Sequence, residues 1–275
     1  MNAILSNLGL SAEDLADRKA WIGGSDANTI MSGNTDRLIQ LWREKRDEAE
    51  PEDLSGILAV QMGSFTEPFN AAWFEKQTGR RVANSGRVLK STEHGVPMRC
   101  TLDGTVGPDA NGEGAGIFEA KHVGFRSTDA EIFARYVPQL THNLICTGET
   151  LAYLSVFKGN GDWFMMEYEL DAAYSQALIA AEAVFWDCVR TGTPPAPLPA
   201  APTPKPKGVV EYNMAGSNEW ASHAADYIET ELAADRHEIA KKSLKALVPD
   251  DASKCAGHGI VINRTKSGAL RFGKE

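Results

Sequence analysis

Residues 116–123 read GIFEAKHV, a mostly apolar run that contains both Glu119 and Lys121. Side chains two residues apart in a β-strand point to the same face, so these opposite charges share one face while Phe118 and Ala120 share the other. Opposite charges on such a strand are costly to bury unless they are paired or bind a ligand. The stretch therefore predicts a core strand that carries either a structural ion pair or a functional site.

The composition is that of a globular protein, with 275 residues, 43% hydrophobic content and a net charge of −9. No apolar run approaches the length that spans a membrane, and the four cysteines lack the CxxC spacing of metal sites. We therefore expect a soluble, cytoplasmic protein with free thiols and no membrane partner. The acidic balance leaves a nucleic-acid partner open, because basic residues are concentrated locally after residue 240.

Two kinds of periodicity divide the chain at Gly79. Before it, apolar residues recur at helical spacing, including a long segment over residues 53–78. After it, five strand-like segments are separated by turn residues, and a crossover helix that begins at Pro138 interrupts them. An amphipathic helix follows over residues 171–192. This order predicts an α/β fold of the α+β type, with a central mixed sheet flanked by helices.

Three regions follow from composition along the chain. Residues 1–192 form the predicted core, and residues 193–208 form a Pro/Ala-rich linker that should be stiff and extended. Residues 209–275 form an extension, with one helix capped by Ser217 and a small β-hairpin that has a basic turn.

The segment MRCTLDGTVG, residues 98–107, places Asp103 before Gly104 where a strand passes into a turn. An Asp-Gly turn is the simpler interpretation. However, an acidic residue here, followed by a strand with Glu-x-Lys, also suits metal-dependent cleavage of a phosphodiester. Two carboxylates hold hard divalent cations, and a nearby lysine stabilises the transition state.

Asp103 followed by Glu119-Ala120-Lys121 resembles the PD-(D/E)xK nuclease motif, with Leu102 where that motif often has proline. Three further segments resemble the lambda-exonuclease-like (YqaJ-type) viral recombinases in the same order along the chain. They are WIGGSDANTIMSG (21–33), MGSFTEPFNAAWFEKQTGRRV (62–82) and VPQLTHNLICTGETLAYLSVF (137–157). The resemblance covers about residues 15–190 and implies a restriction-endonuclease-like core.

The resemblance also implies roles for individual residues. Lys121 is the implied catalytic lysine, and Gln139 orients water or phosphate, although a surface amide is the simpler account of Gln139. Mg²⁺, with Mn²⁺ as a substitute, is the implied cofactor. Its implied ligands are Glu67, Asp103, Glu119 and the backbone carbonyl of Ala120. A solvated glutamate on a helix is the alternative for Glu67.

A pocket for the 5′-terminal phosphate is implied at Arg18 and Ser25. Gly23 and Gly24 would leave backbone N–H groups accessible before a short helix, and the arginine would bind phosphate with two donors. An ordinary capped helix with a surface arginine is the alternative. His142 either lines the site or packs in the core.

Basic residues after the core suggest further contacts with DNA phosphates, because positive charge is locally in excess there. The candidates are Lys205, Lys207, Arg264, Lys266 and Arg271. The alternative is that this region is only a solubilising tail.

The resemblance implies a Mg²⁺-dependent exonuclease that digests linear double-stranded DNA from 5′ to 3′ and leaves 3′ tails for phage-type recombination by strand annealing. The implied partners are double-stranded DNA ends, a single-strand annealing protein and further copies of the chain in a homo-oligomeric ring, with a trimer favoured. The implied setting is the cytoplasm of a bacterial host, with a phage or prophage gene. Two alternatives stay open: another PD-(D/E)xK endonuclease or repair nuclease, and a catalytically inactive DNA-binding protein on the same fold.

Overall fold

The structure is a computed structural model that describes residues 18–197, 201–208, 213–265 and 267–274. The chain divides into two compact units, Met1–Val209 and Val210–Glu275, which are described separately. The predicted linker at residues 193–208 falls within the first unit. Across the described ranges, no helix is both long and apolar enough to cross a membrane.

The elements are numbered along the described chain. The helices are α1 Gly24–Met31, α2 Thr35–Lys45, α3 Leu58–Thr78, α4 Asp129–Thr147, α5 Ala172–Thr191 and α6 Asn218–Ala246. The strands are β1 Ile22–Gly23, β2 Val82–Ala83, β3 Val88–Ser91, β4 Met98–Thr101, β5 Gly104–Val106, β6 Gly116–Val123, β7 Leu151–Lys158, β8 Asp162–Glu169, β9 Lys254–Gly257, β10 Ile260–Arg264 and β11 Leu270–Lys274.

A five-stranded sheet with the order β2-β5-β6-β7-β8 forms the centre of the first unit. Strands β6 and β7 are parallel and are joined by α4, whereas the other neighbours are antiparallel. A parallel pair requires a crossover connection, which explains why a long helix lies between these two strands. The strands β1, β4 and β3 form a second sheet. The predicted mixed sheet flanked by helices is confirmed.

Helix α4 begins nine residues earlier than Pro138, so the predicted start was wrong. The Thr128 side chain accepts from the backbone N–H of Glu131, and the Glu131 carboxylate accepts from the backbone N–H of Thr128. This capping box fixes the start of the helix. Pro138 lies buried inside it and costs one backbone hydrogen bond. The helix ends at Gly148, which has the left-handed conformation (φ 75°) that glycine favours at a helix end.

Helix α3 presents an unexpected face to the sheet. The periodicity predicts one apolar stripe that includes Phe65 and Phe69, but these side chains are 58% and 60% exposed. The buried residues are Asn70 and Phe74 instead. The Phe74 ring packs edge-on against Phe118 of β6, with 5.1 Å between ring centroids. The predicted core stripe was therefore wrong, because apolar spacing alone does not show which side of a helix has a packing partner.

The segment after α5 lies against the first unit in its described parts. Ala201 packs on the main apolar core, and the backbone N–H of Lys207 donates to the carbonyl of Glu167 in β8 (2.8 Å). This part of the Pro/Ala-rich segment is therefore held on the core surface.

The second unit contains α6 and a sheet with the order β11-β10-β9. Ser217 caps α6 as predicted, by accepting from the backbone N–H of Trp220 (3.2 Å). No residue of α6 is buried. The predicted helix and hairpin are both present, and β9 adds a third antiparallel strand that the sequence analysis did not include.

Candidate active site

Glu119 lies at the centre of the site and is only 1% exposed. Its Oε1 accepts from Lys121 Nζ (2.6 Å) and from Gln139 Nε2 (2.6 Å), and its Oε2 accepts from Asn143 Nδ2 (3.1 Å). A buried carboxylate is tolerated when donors satisfy its oxygens. Strand β6 supplies the carboxylate and the lysine, and the buried helix α4 supplies both amides.

Asp103 is placed beside Glu119 by strand register. Gly104 of β5 pairs with Phe118 of β6, so the residue before Gly104 lies next to the residue after Phe118. The Asp103 carboxylate accepts from the backbone N–H of Ala120 (2.8 Å). Burial raises the pKa of Asp103 above its usual range, although the charge of Lys121 and this hydrogen bond oppose the shift. Asp103 is therefore part of the same charged cluster.

Glu67 reaches this cluster from α3. Burial and the charge of Asp103 raise its pKa to about 7, while Lys121 opposes the shift. Burial, then Asp103, also raises the pKa of Glu119 to about 7. For Lys121, burial would lower the pKa, but the carboxylates of Glu119 and Asp103 outweigh it and the net shift is upward. Three carboxylates thus repel one another around one protonated lysine.

The donor chemistry of this cluster fits a hard divalent ion. Carboxylate oxygens are the ligands that Mg²⁺ prefers, and a divalent ion would relieve the repulsion that raises these pKa values. Glu67, Asp103 and Glu119 would hold the ion. In the conformation described, no group of three or more His, Cys, Asp or Glu side chains in residues 18–197, 201–208, 213–265 or 267–274 has the geometry of a metal site. The donors on Glu119 would have to shift as the ion binds. The role of the Ala120 carbonyl stays a prediction.

A cavity of about 180 Å³ lies next to the cluster. Arg18 and Ser25 both line it, and so do Gln139 and Asn143, which contact Glu119. The structure therefore brings the two residues of the implied phosphate pocket to the edge of the charged cluster. Ser25 is not the cap of α1, since the cap position is Gly23.

The cavity wall includes basic residues that the sequence analysis missed, Lys45 and Arg99. Lys45 is buried and contacts Asp26 (Nζ–Oδ2 2.6 Å), and it donates to the carbonyls of Arg18 (2.7 Å) and Trp21 (2.6 Å). A signal existed, because Lys45 continues the buried face of α2 that Leu38, Leu41 and Trp42 define.

Helix α1 is joined to α4 at the cavity. Asn28 Nδ2 donates to Gln139 Oε1 (3.2 Å), and Asn28 Oδ1 accepts from the backbone N–H of Gln139 (2.9 Å). A Cβ atom at Gly24 would overlap Asn143 Oδ1, so only glycine permits this close approach. Gln139 is therefore held from both sides and is not a solvated surface amide. The sequence carried no signal for Asn28 or Asn143.

The candidate His142 and the neighbouring His122 of β6 both lie outside the charged cluster. His142 is buried, with Nδ1 2.7 Å from Glu182 Oε1 and Nε2 3.1 Å from the Arg99 carbonyl oxygen, so it packs in the core. His122 points to the face of β6 opposite Lys121. Its Nδ1 lies 3.1 Å from Thr66 Oγ1, and its Nε2 lies 3.0 Å from the carbonyl oxygen of Gly159.

The basic candidates after the core have varied surroundings. Lys207 Nζ contacts Glu169 (2.9 Å) and lies 3.9 Å from Glu167, which is an acidic setting. The Arg264 guanidinium donates to the carbonyls of Pro249 (2.9 Å) and Ala252 (3.0 Å) in its own unit. Lys205 is exposed near the end of the first unit, Arg271 is exposed on β11, and Lys266 lies outside the described residues.

Comparison with known proteins places this geometry in a class. The structure is similar to a crystal structure of an alkaline exonuclease (LHK-Exo) from Laribacter hongkongensis, with 18% identity and a TM-score of 0.51. The match covers 66% of this chain and 94% of that one. LHK-Exo in complex with dAMP matches with 17% identity, a TM-score of 0.51 and the same coverage. About two thirds of this chain thus share the fold of this alkaline exonuclease.

The sequence itself identifies the domain. Residues 15–150 match the family described as YqaJ-like viral recombinase domain. Residues 15–150 resemble this domain, so the expected family resemblance is confirmed over that range. No curated protein matches the chain.

Proposed function

We propose that this protein is a Mg²⁺-dependent exonuclease that digests linear double-stranded DNA from 5′ to 3′ and leaves 3′ single-stranded tails for phage-type recombination. The observation that carries the proposal is the cluster of Glu67, Asp103 and Glu119 around Lys121, in a YqaJ-like domain. Opposed charges of this kind are expected where a cation and a phosphate must both be bound.

The residues have distinct tasks in this proposal. The divalent ion, when bound, supplies a water of lowered pKa and neutralises charge on the phosphate. Lys121 stays protonated beside Glu119 and stabilises the negative charge that develops on the scissile phosphate. Gln139 and Asn143 keep the Glu119 carboxylate in place and border the cavity where the DNA end would lie. Mn²⁺ would serve in place of Mg²⁺, because it accepts the same oxygen ligands.

The cavity supports digestion from a 5′ end. Arg18, Lys45 and Arg99 outnumber the one acidic residue of its wall, Asp26, which pairs with Lys45, and Ser25 adds a hydroxyl. A terminal phosphate bound there would lie next to Gln139, which contacts Glu119 directly. The first linkage of the strand would then reach the carboxylate cluster, so each cut would renew a 5′-phosphate for the next one.

The partners and the setting rest on the family alone. We propose DNA ends and a single-strand annealing protein as partners, a homo-oligomeric ring (a trimer) as the assembly, and the cytoplasm of a bacterial host as the location, with a phage or prophage gene. Among the basic candidates after the core, Arg271 has the exposure that a phosphate contact requires, whereas Lys207 and Arg264 are engaged within the protein.

Degradation of end-labelled linear duplexes with and without a 5′-phosphate tests the proposal, with circular plasmid assayed in parallel. We expect wild-type protein with Mg²⁺ to degrade only linear DNA and to favour the phosphorylated end. Lys121→Ala should abolish cleavage, and Arg18→Ala should reduce the preference for the phosphate. Lys241→Ala, at an exposed ion pair of α6, is the matched control and should behave as wild type.

Each alternative has its own outcome in these assays. Cleavage of circular plasmid would support an endonuclease instead. A linear duplex that stays intact with both Mg²⁺ and Mn²⁺ would contradict the proposal and support an inactive DNA-binding protein.

A further inference from the structure

A cleft lined mainly by aromatic side chains lies between α3 and the turn that joins β7 to β8. Its volume is about 390 Å³. Its ring-bearing lining residues, here called the aromatic cleft, are Phe69, Trp73, His122, Phe157 and Trp163. The roles proposed for the carboxylate cluster and the phosphate cavity use none of these side chains.

The rings form a connected row that still leaves surface uncovered. Ring centroids are 6.2 Å apart for Phe69 and Trp73, 5.5 Å for Phe69 and Phe157, and 6.1 Å for His122 and Phe157. Neighbouring rings are inclined to each other, so they do not cover one another's faces, and Phe69 is 60% exposed. Exposed ring faces in a cleft are suited to planar ligands that stack.

Two cationic side chains lie near the rim of the cleft, although neither is among its lining residues. Lys76 Nζ lies 4.9 Å from the ring centroid of Trp73. At the other end, the exposed Phe125 lies beside Gly159 of the cleft, where an added Cβ would be 3.3 Å from Phe125, and the Arg126 guanidinium lies 5.8 Å from that ring centroid. Asp162 is the only acidic residue among those that line the cleft. Aromatic rings flanked by cations are typical of sites for single-stranded nucleic acid.

The cleft adjoins the proposed catalytic residues through the chain. Thr66 and His122, which contact each other at 3.1 Å, form one wall. Thr66 immediately precedes Glu67, and His122 immediately follows Lys121. His122 points to the opposite face of β6 from Lys121, so the link between the cleft and the carboxylate cluster runs through α3, which carries both Thr66 and Glu67.

We propose that the aromatic cleft binds unpaired nucleobases of single-stranded DNA by stacking, with Phe69 as the principal exposed ring. The proposal rests on the proposed function for the source of the unpaired strand. It adds a second DNA-binding surface, which would hold bases while the phosphate cavity holds a 5′ end.

Fluorescence anisotropy with a labelled oligothymidylate tests this on the full chain, with EDTA present so that no cleavage occurs. The comparison ligand is an abasic oligomer of equal length, which has the same phosphates but no bases. The variants are Phe69→Ala, Phe69→Trp and Phe65→Ala. Phe65 is the matched control because it lies on the same helix with nearly the same exposure, 58% against 60%, but outside the cleft.

We expect Phe69→Ala to weaken oligothymidylate binding by about tenfold. Phe69→Trp and Phe65→Ala should both bind oligothymidylate as the wild-type protein does. The abasic oligomer should bind weakly to every variant. Equal effects of Phe65→Ala and Phe69→Ala, or equal binding of both oligomers, would overturn the proposal. So would unchanged binding together with a smaller particle mass for Phe69→Ala in sedimentation, since the cleft would then be an interface between copies.

The readout separates this proposal from the proposed function. Loss of binding in Phe69→Ala supports the cleft even if the wild-type protein proves to have no nuclease activity. The converse outcome is that the wild-type protein cleaves DNA while Phe69→Ala leaves oligothymidylate binding unchanged. That result would keep the proposed function and contradict the proposal for the aromatic cleft.

Discussion

Helices α3 and α4 both supply side chains to the carboxylate cluster, yet they are held in different ways. In α4, apolar and polar residues alike are buried, and two of its amides bind Glu119. In the 21 residues of α3, only Asn70 and Phe74 are buried. One side of the site is therefore set by extensive packing, and the side that carries Glu67 has few buried residues.

The Asn70 side chain is the main polar attachment of α3 to the sheet. Its Nδ2 donates to the carbonyls of Lys121 (3.2 Å) and Ser155 (3.1 Å), and its Oδ1 accepts from Ser155 Oγ (2.5 Å). Trp163 Nε1 donates in turn to Ser155 Oγ (2.9 Å). Because one of these partners is the backbone of Lys121, the contact ties Glu67, less than one turn away, to the catalytic strand.

The largest expected effect is on the rate of cleavage, and it should differ between the two carboxylates: amides of α4 hold Glu119, whereas α3 carries Glu67. Glu119→Gln should lower the rate of duplex degradation by about 10³-fold, because it removes the central charge of the cluster. Glu67→Gln should lower it by roughly tenfold, since this carboxylate reaches the cluster from the less constrained side. Initial rates at saturating Mg²⁺ measure both. Equal losses would show that the two sides contribute alike and would remove the distinction.

The next effect concerns stability. Asn70→Ala should lower the free energy of unfolding by about 3 kcal/mol, because it leaves two buried carbonyls and a serine hydroxyl without their partner. Asn143→Ala should cost less, about 2 kcal/mol, because it removes one hydrogen bond, to Glu119 Oε2, while Lys121 and Gln139 still donate to Oε1. Urea unfolding of both variants, with the exposed Asn111→Ala as control, measures the difference. A smaller cost for Asn70 than for Asn143 would contradict the account of how α3 is attached.

A pH dependence of stability is expected from the raised pKa values. Glu67 and Glu119 have pKa values of about 7, against 4.5 ordinarily, so the folded state binds protons that the unfolded state has already released. The free energy of unfolding should therefore fall as pH rises from about 4.5 to about 7, by on the order of 2 kcal/mol, when no divalent ion is present.

Thermal melts in EDTA across this pH range test the dependence. Mg²⁺ should reduce the fall, because the ion replaces the protons, and Glu67→Gln should flatten the slope. Glu229→Gln, at an exposed position of α6, is the control and should keep the wild-type slope. A slope that neither Mg²⁺ nor Glu67→Gln alters would show that other groups cause it.

The smallest effect concerns the contact between α1 and α4. Asn28→Ala removes both hydrogen bonds to Gln139, which should lower the rate on phosphorylated duplexes by about fivefold. The rate on unphosphorylated duplexes should change less, because Asn28 joins the helix of Ser25 to the amide that contacts Glu119. The ratio of the two rates is the measurement. An unchanged ratio would mean that the cavity and the carboxylate cluster act independently.

Parts of the site follow from local patterns, and others do not. Strand alternation placed Glu119 and Lys121 on one face, because that geometry depends only on neighbouring residues in the chain. Asn28 and Asn143 meet the site from distant helices, and nothing in their local sequence indicates this, whereas Lys45 at least continues an apolar face of α2. The start of α4 was misplaced because proline in a first turn is a common signal, whereas the capping box at Thr128 decided the boundary.

The apolar residues of α3 also show that local sequence does not predict which face of a helix is buried. Phe65 and Phe69 have the spacing of a core stripe, but the sheet receives Asn70 and Phe74 instead. Helical spacing predicts which residues share a face. Whether that face is buried depends on the element that packs against it.

By itself, the order of apolar periods, turns and acidic strand positions specified a mixed sheet with a crossover helix and a carboxylate–lysine strand, because these features are local or nearly so. Tertiary structure alone decided which amides hold Glu119, that the basic cavity borders it, and that the aromatic face of α3 stays exposed. Those outcomes depend on contacts between residues far apart in the chain, whose energies no local pattern encodes.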